Sequence, residues 1–380
     1  METVNAALLR RHGDPLAIEE ITLDDPAPGE VVVRTAAVGI CHSDLFVLEG
    51  GREPGLPLLL GHEVAGIVER VGLGVDHVAP GDHVTGCSSA FCGRCEWCVR
   101  GRPNACVNKD YTRPAGEEPR IRDRDGAAVA QLVGLGAFTE KLLVSGTSLV
   151  KIPDAMPLDI AAMLGCAVTT GMGSVFNSAA VEIGDRVVVI GCGGVGLNAV
   201  QAAQMAGARQ VIAVDMVPRK LELARRFGAT DVVDASSEDA VAAVLALSGG
   251  GVDHAIEAVG TPATIQDAFA MLRFGGTATV IGIPPSTEIS LPTDALLAEK
   301  RLQGSLMGTN RFYLDVPLYS ELYMAGKLDL DTLLSERITL DQINEGLDHL
   351  RESDVERTVI VFDGVGEDGA APPLQAGARS

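Results

Sequence analysis

The segment Gly191-Cys192-Gly193-Gly194-Val195-Gly196 constrains the fold of this chain more than any other. It follows the apolar run Val187–Ile190, of strand length, and precedes a helical run, Leu197–Met205. In that context the G-x-G-x-x-G spacing reads as a phosphate-binding turn. The first glycine permits the tight turn and the second lets backbone approach a pyrophosphate. The third allows close helix–strand packing, and the helix N-terminus stabilises the phosphate charge. Further strand-length runs, Val211–Val214 and Thr277–Ile281, alternate with stretches of helical period. That rhythm is the signature of a doubly wound, Rossmann-type parallel sheet, an α/β fold. Asp215 ends the second of these strands, about 20 residues beyond the last glycine, where a carboxylate accepts hydrogen bonds from the adenosine ribose. The same charge repels a 2′-phosphate, which favours NAD over NADP, although Arg219 and Lys220 stand close in sequence.

A chain of 380 residues exceeds what one hydrophobic core usually supports, so two domains are expected. Residues 1 to about 150 are rich in Gly and Pro, with short β-branched runs such as Val31–Val33 and Val64–Val68, which reads as an irregular β-domain. The stretch after Arg301, with its helical Leu340–Leu350, is expected to return to it. The boundaries that follow are 1–167 with 307–380 for the mostly β domain and 168–306 for the nucleotide domain; 364–380, dominated by Gly, Ala and Pro, reads as a disordered tail. A net charge of −21 without clustered Lys and Arg argues against a nucleic-acid footprint. No run reaches the roughly 18 apolar residues of a membrane span, and the N-terminus carries no export signal, so a cytoplasmic protein is expected.

Eight cysteines in such a chain point to metal ligation or thiol chemistry rather than a disulfide framework. Cys92, Cys95, Cys98 and Cys106 form C-x2-C-x2-C-x7-C, four sulfurs on one loop able to close tetrahedrally round zinc. Four protein ligands leave no open position, so this metal would be structural; an iron–sulfur cluster or free and disulfide-bonded cysteines are the competing readings. Cys41 in Cys41-His42-Ser43-Asp44, His62 in Gly61-His62-Glu63, and Cys166 in Gly165-Cys166-Ala167-Val168-Thr169-Thr170-Gly171 form a second group. By spacing alone this trio is too dispersed to define a metal site.

Taken together, in their order along the chain, these motifs resemble the zinc-containing alcohol dehydrogenases of the medium-chain dehydrogenase/reductase superfamily, over about Val4 to Phe362. The resemblance implies a GroES-like catalytic domain beside the Rossmann domain, and two zinc ions per chain. It assigns Cys41, His62 and Cys166 to a catalytic zinc whose fourth position takes the substrate oxygen. An alcohol there is acidified to an alkoxide, the better hydride donor to NAD. It places Asp44 on the histidine ligand, Glu63 beside the metal and the Ser43 hydroxyl at the first step of proton removal. In well-known members a histidine three residues past that hydroxyl relays the proton; here the residue is Phe46, which leaves the route open. His42 stands where some relatives place an arginine on the pyrophosphate. The cofactor set comprises His42, Thr170, Gly191, Gly193, Gly194, Val195, Gly196, Asp215, Lys220, Ile281, Ile283 and Arg357, the last expected to reach the phosphates.

Phe46, Ser88, Tyr111, Phe138 and Ile283 fall at substrate-pocket positions, where a small Ser88 would leave room for a bulky group. Primary, aryl or other apolar alcohols and their aldehydes are the expected substrates, and relatives associate as homodimers or homotetramers through the edge of the cofactor sheet. Some similar proteins hold NAD permanently and pass electrons to an added acceptor. Others oxidise the formaldehyde adduct of a small thiol, an alternative here if Arg113, Arg120, Arg122 and Arg124 make the pocket mouth cationic. Two further readings are a redox-silent binding or structural protein, against which the retained ligands and Ser43 argue, and reduction of an activated double bond, usually without catalytic zinc.

Overall fold

The run Val187–Ile190 lies in the strand Arg186–Ile190 of a six-stranded sheet in the computed structural model, which describes residues 1–52, 54–109, 111–114, 116–284, 287–352 and 357–362. Across this sheet the strands are Asp231–Asp234, Gln210–Asp215, Arg186–Ile190, Val252–Glu257, Leu272–Val280 and Arg301–Gly304. Every neighbouring pair is parallel. The strand order runs third, second, first, then fourth, fifth, sixth, so the winding reverses beside Arg186–Ile190. That reversal leaves a crevice at the strand ends, and the glycine turn opens there. Val188, Ile190, Ile212, Val214, Ala255 and Ala278 fill the core. The helix after the turn is Gly194–Met205, so the last glycines already lie in its first turn.

A second unit is built from two mainly antiparallel sheets. One orders Ile121–Asp123, Ala17–Leu23, Glu2–Leu9, Leu58–Leu59 and Ala130–Gln131. The other orders Leu149–Lys151, His83–Gly86, Glu63–Val71, Glu30–Gly39, Thr358–Val361 and Glu336–Ile338, with Lys141–Ser145 also paired to Glu30–Gly39. Alternation along the strands buries Leu8, Ile21, Val32, Val38, Leu58, Val64 and Ile360 in one core. The expected return of the chain is therefore present: Thr358–Val361 adds antiparallel to the strand that runs up to Cys41. No single described helix is long and apolar enough to cross a membrane.

The junctions differ from the boundaries expected at 167/168 and 306/307. The mostly β unit comprises Met1–Cys92, Val107–Gly165 and the described chain from Val316 onward; the parallel-sheet unit comprises Gly93–Cys106 and Cys166–Asp315. Side-chain bonds explain the shift at the second crossing. Asn177 Nδ2 donates to Asp315 Oδ2 at 3.0 Å, and Ser178 Oγ lies 2.7 Å from Ser305 Oγ and 2.9 Å from Thr309 Oγ1. The cysteine loop joins the same unit through Asn104, whose Nδ2 donates to the Leu306 carbonyl at 3.1 Å. The expected tail at 364–380 lies outside the described residues.

Arg10 fastens the first of the antiparallel sheets at its edge. Its guanidinium donates to Glu19 Oε1 at 3.1 Å and Oε2 at 2.7 Å, and to Asp123 Oδ2 at 2.6 Å. These bonds hold both carboxyls below their ordinary range, against the opposing effect of burial. A carboxylate depressed in the folded state contributes stability above its unfolded pKa, and that contribution is lost as pH falls through the folded value. Arg10→Met is accordingly expected to cost roughly 1–2 kcal/mol near pH 7, discounted because Arg10 is partly solvated, and less near about pH 3. Denaturant melts at the two pH values check this; an equal loss at both would contradict it.

Candidate active site and metal centres

Cys41 sits where the strand Glu30–Gly39 gives way to the helix His42–Leu48, as its N-cap. The Asp44 side chain folds back from the first turn of that helix and is fully buried. It accepts from the Cys41 backbone N–H at 3.2 Å, from the Gly61 N–H at 3.0 Å and from His62 Nδ1 at 3.0 Å. One carboxylate thus joins the two loops that carry Cys41 and His62. With Nδ1 committed to Asp44, the imidazole keeps Nε2 for a metal. Burial lowers the His62 pKa, but the Asp44 charge and hydrogen bond outweigh it and hold the ring well above its ordinary value. A more basic ring is a stronger ligand.

Glycines create the space for these loops. Gly61 has φ +89°, and a Cβ there would lie 2.8 Å from the Phe138 ring. Gly165, which brings the chain to Cys166, passes so near Gly86 that a Cβ would lie 1.9 Å from its carbonyl oxygen. Cys166 follows directly and caps the helix Ala167–Gly173. The ligand atoms of Cys41, His62, Glu63 and Cys166 all lie within 4.8 Å of one another, and all four residues are buried. Two thiols, an imidazole with its second nitrogen held and one carboxyl form a donor set that suits zinc. Ser43 Oγ lies 3.3 Å from Cys41 Sγ, beside the cluster.

Glu63 and Arg357 form a buried pair that the sequence does not announce. Arg357 Nη1 lies 3.2 Å from Glu63 Oε1 and also donates to the Ile40 carbonyl at 3.3 Å. Burial pushes the Glu63 carboxyl up to about 8, with Arg357 opposing. Arg357 is only 4 % exposed, with Nη1 against the acid of the cluster. Only Gly39 leaves room for that acid, since a Cβ there would lie 2.4 Å from Glu63 Oε2.

In the four-cysteine loop, Cys95 Sγ lies 3.5 Å from Cys98 Sγ and 3.8 Å from Cys106 Sγ, and all four sulfurs fall within 4.8 Å of one another. Burial and the neighbouring sulfurs push the Cys98 thiol up to about 12. The cluster is compatible with a structural zinc.

The glycine turn behaves as its spacing requires. Gly191 has φ +92°, and a Cβ on Gly196 would lie 1.8 Å from the Gly191 carbonyl oxygen. At Gly193, the helix N-cap, a Cβ would meet nothing within 4 Å, which leaves the backbone open to a ligand. Gly194 is buried and Val195 half-buried. Asp215 accepts from the Cys192 N–H at 2.7 Å and the Val217 N–H at 2.9 Å, so its carboxylate is fixed with lone pairs to spare for a ribose. Lys220 is half-buried near it. Gly171 lets the Cys166 helix cross the cofactor helix, where a Cβ would lie 2.3 Å from the Val195 carbonyl oxygen. Thr170, one helical turn past Cys166, has its hydroxyl 3.8 Å from Met307 Sδ. Ile281 lies just past the strand Leu272–Val280, and Ile283 is 44 % exposed. His42 is exposed at the first helical position.

The pocket positions divide. Phe46 is half-buried, its ring lying over Gly51. Ser88 is buried, and its carbonyl accepts a short hydrogen bond from the Tyr111 hydroxyl. Phe138, expected at the pocket, is fully buried and packs behind Gly61, in the core beneath the His62 loop. The arginines considered for a cationic mouth are also committed. Arg113 and Arg120 pair with Glu30, Arg113 also with Asp24, Arg122 with Glu118, and Arg124 lies 3.6 Å from Glu19.

The chain is similar to known proteins over most of its length. Residues 27–154 match the alcohol dehydrogenase GroES-like domain, and residues 194–321 match the zinc-binding dehydrogenase domain. An NDMA-dependent alcohol dehydrogenase of Amycolatopsis methanolica is 40% identical over 366 residues, covering 94% of this chain and 98% of that protein. S-(hydroxymethyl)glutathione dehydrogenase of Escherichia coli is 38% identical over 365 residues, covering 94% and 99%. Among solved structures, benzyl alcohol dehydrogenase of Acinetobacter calcoaceticus has TM-score 0.89 and 30% identity, over 95% of this chain and 100% of that one. A zinc-binding-domain alcohol dehydrogenase protein of Burkholderia ambifaria has TM-score 0.91 and 33% identity, over 95% and 99%. The chain belongs to the zinc-dependent alcohol dehydrogenases of the medium-chain dehydrogenase/reductase superfamily. Its mostly β unit is the GroES-like domain and its parallel sheet the Rossmann-type domain.

Asp44→Asn keeps the side-chain size but removes the charge that His62 Nδ1 and two backbone N–H groups share. Affinity of the Cys41–His62–Cys166 site for zinc is expected to fall about 10–100-fold. Competition with a chelator measures it, and unchanged retention would remove Asp44 from the account.

Proposed function

We propose that the chain oxidises primary, aryl or other apolar alcohols to the corresponding carbonyl compounds, and reduces them in reverse, using zinc and NAD. The observation that carries this reading is the convergence of Cys41, His62 and Cys166 within 4.8 Å, with the Ser43 hydroxyl beside them. Those three residues would hold the ion, with Glu63 drawn back by Arg357. Zinc there acidifies an alcohol hydroxyl, and NAD supplies the hydride acceptor.

The chain's own groups do the remaining work. Ser43 Oγ accepts the hydrogen bond of the substrate hydroxyl and takes its proton onward. Phe46, three residues further, offers no proton acceptor, so the proton passes from Ser43 to solvent or a cofactor hydroxyl. Asp44 holds the His62 ring in one orientation throughout, and its charge offsets the positive charge that a metal brings. Gly191, Gly193 and Gly196 admit the pyrophosphate, and Asp215 receives the ribose.

A second reading, oxidation of a hydroxymethyl thiol adduct, is favoured by the name of the Escherichia coli relative. The commitment of Arg113, Arg120 and Arg122 to neighbouring carboxylates weighs against a cationic mouth for an anionic thiol. We also infer a cytoplasmic homodimer or homotetramer. The sheet ends in the edge strand Arg301–Gly304, with Leu296 and Leu297 exposed nearby in sequence, which supports association there.

Steady-state assays with an alcohol panel, hydroxymethyl glutathione, and either added NAD or NDMA alone test the reading. Turnover of apolar alcohols with added NAD is expected; turnover with NDMA alone would mean that NAD stays bound. Preference for the thiol adduct would favour the second reading, and zinc and NAD binding without any turnover would mean a redox-silent protein. Asp215→Ala is expected to weaken NAD and to narrow the preference over NADP; an unchanged preference would contradict the ribose role.

A further inference from the structure

The strands that end in Asp215 and in Glu257 flank Arg186–Ile190 on opposite sides. A doubly wound sheet has two mononucleotide-binding halves, one on each side of that reversal. Asp215 and the glycine turn belong to the first half; the second begins at Glu257, which no step described above uses. Glu257 is fully buried, and five donors meet on it. Its backbone carbonyl accepts from the Ile281 N–H at 2.8 Å and the Gly282 N–H at 3.0 Å. Its side chain turns back, and Oε1 accepts from the Val259 N–H at 2.9 Å, the Gly260 N–H at 2.8 Å and the Thr264 hydroxyl at 2.8 Å. Oε2 is buried without a hydrogen-bond partner among the described residues. A buried acid with one oxygen unpaired is costly, so the bonds made by the other oxygen call for a reason. What they hold is the loop Ala258–Gly260 and the start of the helix Pro262–Ala270.

That loop stands against the phosphate turn. The Ala258 N–H donates to the Ile190 carbonyl at 2.9 Å, and a Cβ on Gly191 would lie 2.7 Å from Val259 Cγ2. On its other side Gly260, with φ +87°, lies so near the end of the fifth strand that a Cβ would be 2.7 Å from the Ile283 carbonyl oxygen. Val259 is 47 % exposed, so the loop keeps a free face. Glycine turn, loop and the 281–283 segment therefore lie side by side at the strand ends, and Glu257 bonds the last two.

Resting on the NAD-linked reading above, we propose that Glu257 is a positioning residue for the second, nicotinamide-bearing half of the dinucleotide: it fixes the Ala258–Gly260 loop as the wall against which that half is laid. The glycine turn has supports of its own, since the Gly191 N–H donates to the Val214 carbonyl at 2.8 Å and the Cys192 N–H to Asp215 at 2.7 Å. Loss of the Glu257 side-chain bonds therefore loosens the second half of the site while the first stays built.

The test is the affinity of the parent, Glu257→Met and Glu257→Gln for NADH and for 5′-AMP, measured by titration calorimetry on the full chain. 5′-AMP carries only the adenosine half and so reports on the first half of the site. Glu257→Met, which leaves two buried N–H groups without their acceptor, is expected to weaken NADH about tenfold or more while 5′-AMP stays within about twofold of the parent. Glu257→Gln keeps an acceptor but loses the charge that strengthens its bonds, and should weaken NADH roughly threefold with 5′-AMP again unchanged. Equal weakening of both ligands would reduce Glu257 to a structural role and overturn the proposal, as would a Glu257→Met protein that binds NADH as the parent does. Should Glu257→Met not fold, a Glu257→Gln affinity for NADH equal to the parent's overturns it instead. A parent that does not bind NADH at all would overturn the NAD-linked reading itself, a distinct result.

Discussion

The candidate metal cluster of Cys41, His62, Glu63 and Cys166 depends on the Asp44 carboxylate. Three donors from two separate loops converge on it: the Cys41 and Gly61 backbone N–H groups and His62 Nδ1. Buried backbone N–H groups without acceptors cost about 1–3 kcal/mol each, so this one side chain fixes where both loops sit relative to each other. Cys41 and His62 inherit their spacing from that bond set. Asp44 also decides which imidazole nitrogen is left for a metal and how basic it is, so local folding and ligand chemistry are a single event.

Close backbone approach is the second constraint. The Cys166 loop can reach the cluster because Gly165 lies against Gly86, and the Cys166 helix can cross the cofactor helix because Gly171 lies against the Val195 carbonyl. Gly196 does the same between helix and strand at the nucleotide turn. Each contact is one that a single methyl group would push apart. The glycines thus place ligand, helix and phosphate turn on one continuous length of chain, and Thr170, one turn beyond Cys166, stands on that same length.

The features legible in the sequence were those whose parts lie close together along it. The glycine turn, its strand and Asp215 appear where their spacing placed them, as do the four sulfurs of Cys92 to Cys106. The trio of Cys41, His62 and Cys166 needed family resemblance, because no local pattern links residues so far apart. Glu63 with Arg357, and Glu30 with Arg120, were not legible at all: the first pair meets through strands of one sheet, and the second joins a strand of one sheet to the residue before a strand of the other. Glu63 and Arg357 come together because Glu63–Val71 and Thr358–Val361 both pair with Glu30–Gly39. Phe138 illustrates a different limit. An aromatic near a ligand in sequence can face the pocket or the core, and only the packing against Gly61 decides. The domain junctions moved because side-chain bonds of Asn177, Ser178 and Asn104, invisible to periodicity, hold the 305–315 segment and the cysteine loop.

The central claim is that Cys41, His62 and Cys166 hold a zinc ion on which alcohol oxidation depends, separate from the ion of the four-cysteine loop. Elemental analysis of the purified parent and of Cys166→Ala, together with alcohol turnover on the same samples, tests it most directly. The account predicts two zinc ions per chain in the parent, and one ion with turnover abolished in a folded variant. A parent with a single zinc, or a Cys166→Ala protein that keeps both ions or its full activity, would contradict it.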